Sequence, residues 1–387
     1  MIALSYSQAL IYVNWLRFVL ESVVHDKLYV IINVDETTVS SVRPSGRGMV
    51  ATGRVKRQAR WRQPRDPVDR SDVKTTLLGT VCDCADLQPL LPQVILPRYT
   101  KDAVPPRHLL GEMTASGSPL EYWHGTGGWV GSRVMASWIT RVRTVVSSFN
   151  SDAWIVLILD CSTTHLNVKT IRHLRRLGVL VVFIPAKLTW LLQILDVSVF
   201  GELKERLRAS QTTLRTTTEK GAMEVGSWIT VTAEAIRHVL VERDWTEAFS
   251  KLGAGTSDDA LGTELRSYVS SSDVRPCLPT LAQFAKVVSR AAHTENTRRV
   301  HAMIMGAHLH VSRLPPGATP RSGAIIDLPI VASASKRKPS DHVAHMAWED
   351  AILEHLDKRP KTSGTRPHGR DAARHVSMPR SVADDTS

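Results

Sequence analysis

Residues 154–185 read WIVLILDCSTTHLNVKTIRHLRRLGVLVVFIP. Two continuous apolar runs, 154–159 and 179–184, enclose a segment at 167–177 that has helical spacing and basic outer positions, and Gly178 ends that segment. Unbroken apolar strands on either side of a helix are typical of parallel strands whose two sheet faces are both covered. This stretch therefore predicts a parallel strand–helix–strand unit within an α/β domain.

Three more strands are predicted before this unit. Residues 28–34 (LYVIINV) are apolar and β-branched, and 75–84 and 90–96 are strand candidates separated by a turn near Ala85. Together they predict an antiparallel meander, so the complete sheet is expected to be mixed.

Helices are predicted around this sheet. Residues 1–27 predict a leading amphipathic helix, and its apolar stretch is interrupted by polar residues, so that neither a membrane span nor a signal peptide is expected. The other predicted helices cover residues 132–148, 195–209, 230–250 and 278–305.

The composition narrows the class of partner. The chain has 387 residues with 49 Lys and Arg against 37 Asp and Glu, a net charge of +12. Such an excess favours a polyanionic partner, most commonly nucleic acid, and the alternative is a solvated basic surface without a specific partner. The four cysteines are scattered and form no C-x-x-C pair, which argues against a disulfide framework and favours a reducing compartment.

Three acids follow or flank the predicted strands. Asp35 comes at the end of the first strand, Asp160 directly after 154–159, and Asp196 shortly after the last strand, at the start of a helix. Carboxylates at the ends of neighbouring strands can converge, and oxygen ligands of this kind suit Mg²⁺, two ions of which can promote phosphodiester exchange. The alternative for any single Asp is a turn or N-cap residue, and Asp196 could be only a helix cap.

The local sequences around these acids resemble a known family. Residues 33–37 (NVDET), 157–160 (LILD) with His165, and 183–185 (FIP) followed by 192–204 (LQILDVSVFGELK) resemble the three catalytic blocks of the pogo/Tigger branch of mariner-like transposases, which are DDE superfamily endonucleases. Asp160 and Asp196 are 36 positions apart, close to the usual separation in that family. The resemblance covers roughly residues 10–255.

The resemblance implies an RNase H-like fold, a mixed sheet of antiparallel and parallel strands flanked by helices. It also implies that Asp35, Asp160 and Asp196 are the catalytic residues and the ligands of Mg²⁺ or Mn²⁺, with two ions in an active enzyme. The catalytic core is expected at 28–210, after the leading helix at 1–27. Residue patterns predict a helical extension at 211–314, and the polar composition of 315–387, rich in Pro, Ser and Arg, predicts a mostly disordered basic tail.

The neighbours of the acids are less uniform. Glu36 follows Asp35 directly and is expected to point away from it in a strand, so it is not counted as catalytic. His165 matches a family histidine that could support the metal site, and alternatively it caps or orients the following helix. Cys161 stands where the family usually has Asn, which could perturb hydrogen bonding beside the acid. A proline of the third block is replaced by Ile194.

A basic segment, residues 41–70, directly follows the first acid and contains Trp61. We expect it to contact DNA phosphates, with Trp61 stacking on a base, and the alternative is a flexible solvated loop. The residues expected to bind nucleic acid are Arg43, Arg47, Arg54, Lys56, Arg57, Arg60, Arg62 and Arg65.

Two short basic clusters in the tail, 336–339 (KRKP) and 358–361 (KRPK), are typical of nuclear import signals and predict a location in the nucleus. DNA is the expected partner, a homodimer is an open expectation, and no membrane partner is expected.

Two functions follow from the sequence. The first is a transposase-derived, metal-dependent DNA endonuclease and strand-transfer core; because only 34 residues precede Asp35, it is expected to lack the helix-turn-helix reader of the family. The alternative is a catalytically silent, domesticated protein that still binds nucleic acid. A host nuclease acting on RNA–DNA hybrids would not explain residues 191–201 (LLQILDVSVFG).

Overall fold

The computed structural model describes residues 2–40, 50–51, 61–62, 74–97, 111–113, 118–123, 129–217, 225–254 and 261–320. Most of the basic segment 41–70 and nearly all of the predicted tail, including both basic clusters, lie outside these residues.

Eight strands occur in the described parts of the chain. They are β1 (Tyr29–Ser40), β2 (Val50–Ala51), β3 (Trp61–Arg62), β4 (Lys74–Cys82), β5 (Gln93–Pro97), β6 (Leu120–Tyr122), β7 (Trp154–Leu159) and β8 (Val179–Phe183). Six of them form one sheet in the order β6-β5-β4-β1-β7-β8, and β2 pairs with β3 in a separate antiparallel ribbon.

The large sheet is mixed. β1 is antiparallel to β4, and β4 is antiparallel to β5, which confirms the predicted meander. β7 is parallel to both β1 and β8, which confirms the predicted parallel unit. The chain therefore has the α/β class and the RNase H-like arrangement expected from the sequence. β6 was not predicted, because its three residues lie in a stretch without a strand pattern.

The two parallel strands β7 and β8 are buried on both faces, although β8 lies at the edge of the sheet. Every side chain of β7 and β8 is buried, as the unbroken apolar runs in the sequence require. The predicted bounds of β7 agree with the structure, and β8 ends one residue before the predicted Ile184.

The prediction that β1 ends at Asp35 is wrong, because the strand continues to Ser40. Pairing with β7 stops at Asn33, opposite Ile158, but pairing with β4 continues until Ser40 lies opposite Lys74. Asp35 therefore lies inside β1, just beyond the point where the strand loses its parallel neighbour.

Helices flank the sheet. They are α1 (Ile2–Phe18), α2 (Ser132–Phe149), α3 (Val168–Arg176), α4 (Thr189–Leu192), α5 (Phe200–Thr217), α6 (Val225–Ile236), α7 (Thr246–Phe249), α8 (Thr263–Tyr268), α9 (Leu281–Val287) and α10 (Glu295–Val311). Turns of π-helix continue α1 (Val19–Val23), precede α5 (Leu195–Val199) and follow α6 (Arg237–Val241). Over the described part of the chain, every helix is too short or too polar to cross a bilayer.

The first helix differs from its prediction. Between Tyr6 and Leu20 no residue is exposed, so α1 is a core helix and not an amphipathic surface helix. The aromatic ring of Trp15 packs against Phe284 of α9, and its indole Nε1 donates to Nδ1 of the fully buried His308 of α10 at 3.3 Å. Phe284 lies 269 and His308 293 positions from Trp15 along the chain, so a local pattern does not reveal them.

The region predicted as one helix at 278–305 contains two, α9 and α10. Thr280 begins α9 with a capping box in which its hydroxyl accepts from the backbone of Gln283, and Thr294 caps α10. Phe284 of α9 packs edge-on against Phe183 of β8, so these helices share the core of the sheet.

Candidate active site

Asp35 and Asp160 occupy corresponding places on neighbouring strands. Asn33 lies opposite Ile158 in the parallel pair of β1 and β7, and each acid comes two residues further along its own strand direction. Because side chains alternate along a strand, residues two apart point to the same side. The fold therefore brings Asp35 and Asp160 side by side at one end of the sheet.

Asp196 approaches the same end from a helix. It lies in the first turn of the π-helical segment Leu195–Val199 and is exposed. Ile194 occupies the N-cap position and makes no capping bond, so Asp196 is not the helix cap considered in the sequence analysis.

Close packing places this helical segment over β4. Gly79 lies opposite Asp35 in the antiparallel pair, and a Cβ added to Gly79 would lie 3.1 Å from Cε1 of Phe200 and 3.5 Å from Cδ2 of Leu195. Contacts between atoms at 3.1 Å are tighter than most contacts of a Cβ. The missing side chain of Gly79 therefore allows the segment that carries Asp196 to lie against the strand beside Asp35.

The charges of the three acids are coupled. Burial raises the pKa of Asp35 to about 7; the nearby carboxylates of Asp196 and Asp160 add to the rise, and a backbone hydrogen bond with Glu36 opposes it. A carboxyl group that is buried near other carboxylates is stabilised in its charged form by a cation. The arrangement thus favours a positive ligand at Asp35.

Asp160 is held differently. Burial works against its ionisation, but the hydrogen bond and the charge of His165, together with hydrogen bonds from Ser162, lower its pKa. His165 Nδ1 lies 2.5 Å from Oδ1, and the Ser162 N–H donates to the same oxygen at 3.1 Å. Because a carboxylate only accepts, Nδ1 carries the proton of this bond.

His165 is buried and orients Asp160 rather than capping the next helix. The N-cap of α3 is Asn167, whose side chain accepts from the Lys169 N–H at 2.8 Å. Burial alone would lower the pKa of His165, but the bond to Asp160 and the charges of Asp160 and Glu36 raise it. The imidazole thus supports the acid from the protein interior.

Two neighbours behave differently from the three acids. Glu36 is coupled to Asp160 across the strands: burial and the charge of Asp160 raise its pKa, and His165 opposes the rise. The sequence argument weighed Glu36 against Asp35 alone and missed this neighbour.

The Cys161 thiol donates to the carbonyl of Ile184 at 3.0 Å, which links the ends of β7 and β8, and burial raises its pKa.

The donor chemistry of the three acids fits Mg²⁺ or Mn²⁺, since both ions prefer carboxylate oxygens. Among the described residues, however, no three His, Cys, Asp or Glu side chains already stand close enough together to hold an ion. The fit therefore rests on the oxygen donors and on the uncompensated charge around Asp35.

The predicted nucleic-acid contacts fall mostly outside the described residues. Arg62 belongs to β3, whose backbone is described, and the other seven residues predicted to bind nucleic acid are not described.

Comparison with known proteins gives one match. The family model of the DDE superfamily endonucleases matches residues 73–250, a range that includes Asp160 and Asp196 and begins after Asp35. Neither the curated proteins nor the solved structures contain a match to the chain.

Proposed function

Residues 73–250 belong to the DDE superfamily endonucleases, and on that premise we propose that the protein is a transposase-derived, metal-dependent DNA endonuclease that acts through Asp35, Asp160 and Asp196. The observation that carries the proposal is the placement of Asp35 and Asp160 two residues beyond the paired positions Asn33 and Ile158 of neighbouring parallel strands. The charge of Asp196 adds to the raised pKa of Asp35, which puts the third acid near the same end of the sheet.

Asp35, Asp160 and Asp196 would hold Mg²⁺ or Mn²⁺, and such ions supply an activated water and stabilise the leaving 3′ oxygen during phosphodiester cleavage. The chain itself prepares the ligands. His165 and the Ser162 N–H keep Asp160 ionised and fix its orientation through Oδ1. Asp196 is exposed and reaches the site from the surface.

DNA is the proposed substrate. The net charge of +12 attracts the chain to phosphates. The basic segment 41–70 lies between β1, which carries Asp35, and β4, which carries Gly79. We propose that this segment positions the DNA backbone across the acids, that the protein acts in the nucleus, and that a second copy of the chain is its partner on DNA.

The test is nicking of supercoiled plasmid DNA by the purified chain in Mn²⁺ or Mg²⁺. Wild type is expected to nick only when a divalent ion is present, and Asp160→Ala to lose nicking by about 100- to 1,000-fold because it removes a group that stabilises charge at the reacting centre. Asp152→Ala is the matched control, since Asp152 is an exposed aspartate just before the opposite end of β7. It is expected to nick like wild type.

Two results contradict the proposal. Wild type that shows no metal-dependent nicking, or Asp160→Ala that nicks as fast as Asp152→Ala, excludes catalysis by these acids. Wild type that binds DNA in a gel-shift assay but never nicks it would identify the chain as the catalytically silent, nucleic-acid-binding alternative.

A further inference from the structure

Asn33 is a fully buried amide in the middle of β1. Its Nδ2 donates to the carbonyl oxygen of Ile158 at 3.0 Å, and its Oδ1 accepts from the backbone N–H of Leu195 at 3.3 Å. A buried amide costs free energy unless both of its ends are hydrogen-bonded, and here both are. The side chain therefore joins three separate segments: β1, β7 and the π-helical turn that precedes α5.

Each joined position lies within two residues of one of the acids. Asn33 is two residues before Asp35, Ile158 is two residues before Asp160, and Leu195 directly precedes Asp196. We infer that Asn33 is a positioning residue that sets the relative positions of the three carboxylates, an inference that rests on the proposed function. The tie between β7 and β1 fixes two acids, and the tie to Leu195 fixes the third relative to them.

The chemistry of the tie requires a carboxamide. The N–H groups in the first turn of a helix lack partners within that helix, and Leu195 begins such a turn, so its N–H needs an acceptor from outside. The Ile158 carbonyl needs a donor. Leucine has a similar volume and supplies neither group, and serine is too short to reach both partners. These two substitutions break the tie in different ways.

A positioning role and a merely structural role differ in what a substitution changes. Loss of a buried hydrogen bond lowers the free energy of unfolding in either case. Only a positioning residue also changes the binding of a cation by the acids, because residues that orient metal ligands typically contribute about 10- to 100-fold to metal affinity. The dissociation constant for Mn²⁺ is therefore the discriminating quantity.

The experiment measures the Mn²⁺ dissociation constant by calorimetry, and the kcat and KM of plasmid nicking, for wild type, Asn33→Leu and Asn33→Ser. Both variants are expected to bind Mn²⁺ about 10- to 100-fold more weakly. Their kcat should fall while the KM for DNA stays unchanged. Asn14→Leu is the matched control, because Asn14 of α1 also bridges two segments, accepting from the Arg275 N–H at 2.7 Å, and neither of these two segments carries one of the three acids.

The control separates a loss of stability from a loss of Mn²⁺ binding. Asn14→Leu is expected to lower the melting temperature but to bind Mn²⁺ like wild type. If Asn33→Leu does not fold, Asn33→Ser provides the same measurements. Variants at Asn33 that melt earlier yet bind Mn²⁺ as tightly as wild type overturn the positioning role and leave the proposed function standing.

Failure of the proposed function gives a different pattern. If wild type binds no Mn²⁺, the metal-dependent function is wrong, and metal-free crystal structures of wild type and Asn33→Ser then decide the inference. Displacement of the Asp196 carboxylate from Asp35 in the variant supports the positioning role, and unchanged carboxylates overturn it.

Discussion

The three acids differ in what holds them before a ligand arrives. Asp160 is fixed through one oxygen by His165 and Ser162, and the same bonds keep it ionised. Asp35 is half-buried with a pKa of about 7, so near neutral pH it is only partly ionised without a cation. Asp196 is exposed. Binding of a cation would therefore change the protonation of Asp35 most, and would release protons as it occurs.

At the scale of single residues, the sequence predicts the three acids but not the residues that orient them. Asp160 is predictable because it ends an unbroken apolar strand. The role of His165 is not, since its choice between capping α3 and binding Asp160 depends on Asn167 taking the cap. Asn33 is equally hidden, because its partner Leu195 lies 162 residues away along the chain.

A buried histidine predicts how stability depends on pH. His308 is fully buried and its Nδ1 accepts from Trp15, so the folded protein holds it neutral, and burial lowers its pKa to about 3. The unfolded chain takes up the proton near pH 6.5. Stability is therefore independent of His308 above that pH, and falls by up to about 1.4 kcal/mol for each pH unit between 6.5 and 3.

The measurement is urea unfolding at pH 7.5 and pH 5. The variant His308→Gln is expected to lose about 2 kcal/mol less than wild type between these pH values, since glutamine does not titrate. His25→Gln removes an exposed histidine and should lose as much as wild type. Equal losses in His308→Gln and wild type would contradict the role of His308.

At the scale of elements, the strands that pack on both faces are the most predictable. β7 and β8 follow directly from continuous apolar runs, because both sheet faces are covered. The continuation of β1 through its polar residues 36–38 depends on its pairing with β4, which no local pattern reveals. The buried state of α1 likewise depends on α9 and α10, far along the chain.

The contact between β4 and the helical segment of Asp196 gives a prediction. Gly79→Ala adds a Cβ at 3.1 Å from the Phe200 ring, so the ring or the helix must move. We expect a loss of about 1–3 kcal/mol in stability. Because the displaced segment carries Asp196, nicking should fall about 10- to 100-fold.

Gly201→Ala is the control for this substitution, since a Cβ at Gly201 meets no atom within 4 Å. Both variants are assayed by urea unfolding and by plasmid nicking under identical conditions. Gly79→Ala that nicks as well as Gly201→Ala would show that the close packing has no bearing on the acids.

At the scale of the whole molecule, the net charge is known from the sequence without any knowledge of the fold. A net charge of +12 predicts DNA affinity that falls steeply with salt. The variant Arg57→Gln/Arg60→Gln is expected to reduce the slope of log affinity against log salt by about 1 for each phosphate contact removed. Fluorescence anisotropy with a short duplex at several salt concentrations measures the slope.

The control for the salt experiment removes the same charge elsewhere. Arg298→Gln/Arg313→Gln changes two exposed arginines of the C-terminal helical region and should leave the slope within the error of wild type. Equal reductions in both double variants would mean that DNA binding follows net charge and not the basic segment.

The uneven pairing of β1 has a mechanical consequence. Up to Asn33 and Ile158, hydrogen bonds between β1 and β7 fix the distance between the two strands. Beyond them the sheet forks, with β1 still bonded to β4 and the chain after β7 turning into the loop at Cys161. Asp35 and Asp160 lie on the two separated strand ends, and the Asn33 amide joins the strands at the point where they separate. The distance between these two strand ends can therefore adjust to the radius of an ion, while the paired parts of the strands and the core stay unchanged.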